Sequence, residues 1–233
     1  MSRITMQDVA VMSVQYVQYS FAYYLDSMKR CGLSNIDMWG GAPHYCRLDY
    51  NSSREAGQKI AQLRRAMDDL GMQVVIYTPE TLGYPFSYST PDFPLRSRTL
   101  DYMKAAMEDA LQFGTNRVFL NTGCHSRDLN REEGFLRTAD SYRALCDAAE
   151  RMGVDLILEQ LQPYESNLCT TLPDISRMLS LDALPSCNWE SFSVYWMNNI
   201  EWKQKEKSWV KSGWMPLCWA SFSHWPGPPC CRS

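Results

Sequence analysis

The sequence predicts an α/β fold with parallel strands over residues 1–185. Three observations predict it. A pattern of amphipathic helix, glycine, apolar strand and polar loop recurs about every 35 residues, which implies parallel strands joined by right-handed crossovers. No G-x-G-x-x-G follows the first strand, which argues against an open, dinucleotide-binding sheet. Polar and aromatic residues instead gather after several different strands: Trp39 and His44, Tyr77 and Glu80, Asn121 and His125, Glu159 and Glu165. A (β/α)8 TIM barrel collects its chemistry at the C-terminal ends of its strands in this way. About five βα units are recognisable, so the fold expected here is a partial barrel followed by an atypical tail.

The elements follow in order. The apolar run Val9 to Val17 suits a strand with an irregular end. Tyr19 to Cys31 reads as a helix, because Phe21, Tyr24, Leu25 and Met28 recur at helical spacing and Gly32 stops it. Asn35 to Trp39 is a short strand running into Gly40 and Gly41. The next helix begins at Ser53 and lines up Ile60, Leu63, Ala66, Met67 and Leu70, with Gly71 as its stop. Met72 to Tyr77 is a strand, and it enters a long loop rich in Pro, Gly and Tyr from Thr78 to Pro94. Arg96 to Phe113 is a helix closed by Gly114; Arg117 to Leu120 is the fourth strand; Glu132 to Met152 is a helix closed by Gly153. Val154 to Leu158 is the fifth strand and runs directly into Glu159. Thr171 to Leu181 is the fifth helix, with Asp174 favoured in its first turn by the helix dipole.

Residues 186–233 break the pattern. Seven of the eight tryptophans lie there, at 189, 196, 202, 209, 214, 219 and 225. Residues 1–185 carry fifteen Arg and three Lys, whereas the tail carries one Arg and four Lys and no Asp. The tryptophan spacing, about six residues, fits neither strand nor helix. A shifted reading frame near Ser186 accounts for this better than a divergent domain or a solvated tail. On that reading the fifth strand would expose an unpaired edge.

A chain of 233 residues is long enough for a real core. A net charge of −3 gives no reason to expect a nucleic acid or an anionic membrane as partner. No run of about 18 apolar residues indicates a membrane span, and Met1 to Ala10 lacks the pattern of a secretory signal. A cytoplasmic location is therefore expected. Cys31, Cys46, Cys124, Cys146 and Cys169 are scattered without a C-x-x-C pair, which favours free thiols.

The sharpest segment is Leu156-Ile-Leu-Glu-Gln-Leu-Gln-Pro-Tyr-Glu-Ser-Asn167. A buried strand ends in a carboxylate, Glu159, which needs a cation or a bound partner to offset its desolvation. Glu165 follows six residues later; an ordinary solvated loop carboxylate is the competing reading for both. His44 after Trp39-Gly-Gly and His125 after Thr122-Gly-Cys, each taken alone, read better as hydrogen-bonded loop histidines than as site residues. No nucleophile elbow, phosphate-binding loop or H-E-x-x-H is present.

Three segments carry a resemblance: Ile36-Asp-Met-Trp-Gly-Gly-Ala-Pro-His44, Tyr77-Thr-Pro-Glu-Thr-Leu-Gly-Tyr-Pro85 and Leu158-Glu-Gln-Leu-Gln-Pro-Tyr-Glu-Ser-Asn167. Residues 1–185 resemble the sugar phosphate isomerase/epimerase family with a xylose isomerase-like TIM barrel, in the branch of fructoselysine and D-tagatose 3-epimerases. The resemblance implies a small-molecule sugar substrate and a divalent metal, Mn²⁺, Mg²⁺ or Co²⁺, and allows a homo-oligomer. It implies epimerisation of a ketose or ketose derivative by proton transfer next to the carbonyl. Glu159 matches the first metal ligand and one of two catalytic carboxylates. Glu165 matches a substrate-binding Glu, and Trp39 and His44 fall where the family lines its substrate pocket. The family's further ligands, an Asp, a His and a Glu after strands six to eight, find no matching positions in the tail, so this copy is expected to be a truncated and inactive one. Two other readings stand beside this one: a metal hydrolase similar to endonuclease IV, disfavoured by three histidines and the negative charge, and a non-catalytic remnant.

Overall fold

The computed structural model describes residues 5–181 and, as a backbone strand, Val194–Tyr195. The strands are β1 (Ala10–Met12), β2 (Asn35–Gly40), β3 (Gln73–Pro79), β4 (Arg117–Leu120), β5 (Asp155–Glu159) and β6 (Val194–Tyr195). The helices are α1 (Phe21–Arg30), α2 (Ser53–Asp68), α3 (Phe93–Phe113), α4 (Arg131–Met152) and α5 (Leu172–Ser180). The strands lie in sequence order in one sheet, and every neighbouring pair is parallel. This is the order in which a (β/α)8 barrel is walked, so the partial barrel expected from the sequence is the architecture found. The remaining tail lies outside the described residues, as does His224. The fifth-strand edge is paired at Leu158 and Glu159, which face Val194 and Tyr195.

Local chemistry sets the ends of the helices. Each helix starts at a side chain that accepts a first-turn N–H: Ser20, Ser52, Asp92, Asn130 and Thr171. Gly114 and Gly153 close α3 and α4 in the left-handed conformation, at φ 90° and 68°. Two boundaries differ from expectation by three residues or more, the others by two at most. β1 stops at Met12, where the chain turns into a short 3₁₀ segment, Ser13–Tyr16, and the Ser13 hydroxyl accepts the Trp39 N–H at 3.1 Å. α3 begins at Phe93 rather than Arg96, because Asp92 caps it and Pro94 is tolerated in a first turn.

The helix-facing side of the sheet holds the main core, which includes Ile36, Met38, Val118, Leu120, Leu156 and Leu158 with α-helical Met28, Ile60, Met107 and Leu145. A second, small cluster of Ile76, Phe119 and Ile157 lies on the other face, inside the curved sheet. The two faces stay separate because strand side chains alternate. At β3 the alternation is reset. Ile36 pairs with Val74 but Asp37 pairs with Ile76, so Val75 is an extra residue. That bulge lets both Val74 and Tyr77 join the helix-side core.

Cys31, Cys46, Cys124 and Cys169 are free thiols, as expected, whereas the buried Cys146 of α4 is disulfide-bonded. No described helix is long and apolar enough to cross a membrane.

One buried ion pair ties the loop after β2 to α3. Asp109, fully buried, accepts from the Tyr45 hydroxyl and from Arg47 Nη1, both at 2.7 Å. Burial raises the Asp109 carboxyl, and Tyr45 and Arg47 act against that rise. Replacing Asp109 with Ala leaves a hydroxyl and a guanidinium unpaired. Asp109→Ala is expected to cost about 3 kcal/mol in urea unfolding. A loss under about 1 kcal/mol would show that the pair is dispensable.

Candidate functional site

The inner face of the sheet carries the polar residues. Asp37 and Trp39 alternate with helix-facing Ile36 and Met38 on β2, and Thr78 alternates with Tyr77 on β3. On β5, Glu159 alternates with Leu158. Thus the C-terminal end of the sheet presents Trp39, Thr78 and Glu159 on one face. Glu80, just beyond β3, continues the same alternation.

Glu159 is partly buried at the end of β5. Burial pushes its carboxyl up to about 8, and the negative charges of Glu165, Asp37 and Glu80 push the same way. A carboxyl in this state is protonated at neutral pH, yet within reach of ionisation. Asp37 is buried on the inner face and is raised to about 7 by desolvation, opposed by a 2.7 Å hydrogen bond from the Thr78 hydroxyl. Three carboxylates, Glu165, Asp37 and Glu80, therefore act on Glu159 here.

Trp39 is held by its neighbours. Its indole N–H donates to Glu80 Oε2 at 3.0 Å, while Glu80 Oε1 accepts the Leu82 N–H at 2.8 Å. The ring lies over Gly41, where any Cβ would collide with it. Glu165 turns back on its own loop: its carboxylate accepts the Gln162 N–H at 2.9 Å, and its N–H donates to the Gln162 carbonyl at 2.9 Å.

The histidines are engaged in packing. His44 is 3% exposed, lies against Phe21 and Tyr24 of α1, and places Nε2 2.9 Å from the Tyr19 carbonyl. Its Nδ1 has no hydrogen-bond partner among the described residues. His125 packs onto Gly134 of α4, with Nδ1 at 3.2 Å from the Ser89 hydroxyl. Of the four residues singled out from sequence, Glu165 acts electrostatically on Glu159, and Trp39 joins them through Glu80, which acts on Glu159 as well. His44 is not tied to these three by any of its contacts. Asp37 and Glu80 were not assigned a role from sequence. Their signal was parity: Asp37 stands two residues before Trp39, and Glu80 two after Thr78.

The donor set is of the kind a divalent cation takes, oxygen-rich and anionic. Among the described residues, however, no three His, Cys, Asp or Glu side chains are gathered closely enough to hold a metal ion. Glu159 thus fits as one ligand of a set that the described residues do not complete.

Comparison with known proteins now places the chain. Residues 25–188 match the family described as xylose isomerase-like TIM barrel, and the chain belongs to that family. It is 33% identical over 155 residues to fructoselysine 3-epimerase of Escherichia coli O157:H7, an alignment covering 66% of this chain and 54% of the relative. The protein of the same name from Shigella flexneri is 32% identical over 155 residues, with the same coverage of 66% and 54%. The chain spans about half the length of the curated relatives it matches. Among solved structures, 3-keto-D-glucoside 4-epimerase from E. coli superposes with a TM-score of 0.61 at 14% identity, over 81% of this chain and 67% of that one. D-psicose 3-epimerase with D-tagatose from Clostridium cellulolyticum H10 gives 0.60 at 15% identity, over 80% and 62%. At these identities the likeness is one of fold.

Asp37 gives a pH test. Its folded value, about 7, lies above the unfolded carboxyl near 3.9. The folded state therefore holds the extra proton, and the stability it lends is full below about pH 4 and lost as pH rises through about 7. In chelator, Asp37→Asn is expected to lessen the fall of stability between about pH 4 and 7, Glu159 keeping the remainder of that fall, and to gain about 2 kcal/mol at pH 8. Parallel pH profiles for the two proteins would count against it.

Proposed function

We propose that this chain carries the Glu159 half of a ketose 3-epimerase site. The observation that carries the reading is the Glu159 carboxyl: strand-borne, partly buried, raised to about 8, and crowded by Glu165, Asp37 and Glu80. The ionised fraction of such a carboxyl can take a proton from the carbon beside a carbonyl and hold it. The raised value matters because a base of ordinary carboxyl strength is a poor match for a carbon acid at neutral pH.

The other residues have supporting parts in the same reading. Trp39, fixed over Gly41 and bonded to Glu80, offers a flat wall for a sugar ring face. Glu165, ordered by its bond from the Gln162 N–H, offers a hydroxyl acceptor at the same mouth. His44 belongs to this reading only through the resemblance, since its own contacts are with Phe21, Tyr24 and the Tyr19 carbonyl. A divalent cation held in part by Glu159, when bound, supplies polarisation of the ketose oxygens. The carboxylate that returns the proton on the opposite face has no counterpart among the described residues. A cytoplasmic setting and a free sugar substrate belong to this reading too.

The relatives narrow the substrates to try. Fructoselysine is the substrate in the name of the relatives at 33% and 32% identity; D-psicose, D-fructose and D-tagatose appear with the solved structures. The full chain is to be assayed for 3-epimerisation of each, with Mn²⁺ or Co²⁺ added. Any turnover found is expected to depend on Glu159, with Glu159→Gln lowering kcat about a thousandfold. Undiminished turnover in that variant would remove Glu159 from the chemistry. No turnover with any sugar by the wild-type chain would favour a non-catalytic remnant.

A further inference from the structure

Glu165 sits on the loop between β5 and α5, and loops hold functional groups less firmly than strands do. The residues immediately after it are fastened to a different loop. Asn167 pairs with the backbone of His125 through both ends of its amide: Oδ1 accepts the His125 N–H and Nδ2 donates to the His125 carbonyl, each at 2.9 Å. This is the pairing of a strand neighbour, supplied by one side chain. Ser166, 1% exposed, donates to the Gly123 carbonyl at 2.5 Å and accepts the Leu168 N–H at 3.1 Å. Arg131, at the start of α4, donates to the Asn167 carbonyl at 2.6 Å and the Leu168 carbonyl at 2.5 Å, and pairs with Asp174 at 2.9 Å.

We infer that Asn167 is a positioning residue for Glu165. The inference rests on the epimerase reading for its functional half. The amide of Asn167 locks the β5–α5 loop to the β4–α4 loop one strand away, and Glu165, two residues earlier, inherits that placement. The segment Thr122-Gly-Cys-His125 then has a role that needs no imidazole chemistry. Its backbone is the receptor for the Glu165-Ser-Asn167 turn, and the His125 ring, packed on Gly134, anchors the receptor to α4. A side chain that offers one donor and one acceptor in a plane is required at 167. Asp supplies only the acceptor, and Ala supplies neither.

The test uses the full chain in three forms: wild type, Asn167→Asp and Asn167→Ala. Hydrogen exchange followed by mass spectrometry reads residues 121–126 and 161–169, with 53–68 of α2 as an internal control. Asn167→Ala is expected to speed exchange in both loop segments at least tenfold and to leave α2 unchanged, with Asn167→Asp between. Unchanged loop exchange in Asn167→Ala would overturn the inference. Where the wild type turns over, KM is expected to rise at least fivefold in Asn167→Ala with kcat within twofold, since a substrate-binding carboxylate is displaced. Equal losses in kcat with KM unchanged would overturn it as well. Absence of wild-type turnover defeats the epimerase reading alone, because the exchange measurement still decides whether Asn167 fixes the loop.

Discussion

Side chains alternate across a β-strand, and in a parallel sheet covered by helices that alternation separates packing from chemistry. Ile36, Met38, Val118, Leu120, Leu156 and Leu158 all fall on the helix side and are buried there. Their alternates on the inner side are Asp37, Trp39, Phe119, Ile157 and Glu159. A slip of one residue in any of these strands would drive carboxylates against the helices and aliphatic groups into the mouth of the site. Register therefore fixes stability and function together. The bulge at Val75 shows how tightly it is held, because one extra residue restores the inner alignment of Ile76 with Asp37.

The inner face bears an electrostatic strain that the helix-facing core has to offset. Glu159 feels burial and three like charges, and each raises it. Asp37 is raised by burial, with a single hydroxyl bond opposing. By contrast, the acid on the helix side, Asp109, is matched by a guanidinium and a phenol. The fold can thus satisfy a buried carboxylate and does so where packing is the only task. Strongly perturbed, unmatched acids in a concave face are the arrangement found where proton transfer or cation binding is performed.

Much of this was legible in the sequence, for definite reasons. Helix ends were readable because their residues are chemical signals: α2 starts at Ser53, and Gly114 and Gly153 follow α3 and α4. The strand order followed from the repeat. Glu159 was legible because a carboxylate at the end of Leu-Ile-Leu has no ordinary packing explanation. The early end of β1 was not, because it depends on Ser13 reaching the Trp39 N–H, a contact between residues 26 apart. The bulge at Val75 was hidden for a similar reason, since Met-Gln-Val-Val-Ile-Tyr reads as an unbroken strand. The restraint of Trp39 by Glu80 was equally hidden, because it joins β2 to the loop after β3 across 41 residues.

The fate of the histidines distinguishes the chemistry this face can support. A hydrolase similar to endonuclease IV needs imidazoles gathered around several cations. Both described histidines are committed elsewhere, His44 among the rings of Phe21 and Tyr24 and His125 on Gly134 and Ser89. What the inner face offers instead is carboxylate oxygen, with one group near the proton affinity that neutral pH demands. Such a group can accept a proton from carbon and return it without a large penalty in either direction. Hydrolysis asks for an activated water and a stabilised leaving group, which a lone raised carboxyl supplies poorly. Epimerisation asks for a base of this strength, a second carboxylate on the opposite face, a wall to orient the sugar and polarisation of one oxygen. Glu159 and Trp39 meet the first and third of those needs from one sheet face, and for that reason an epimerase accounts for this arrangement of residues better than a hydrolase.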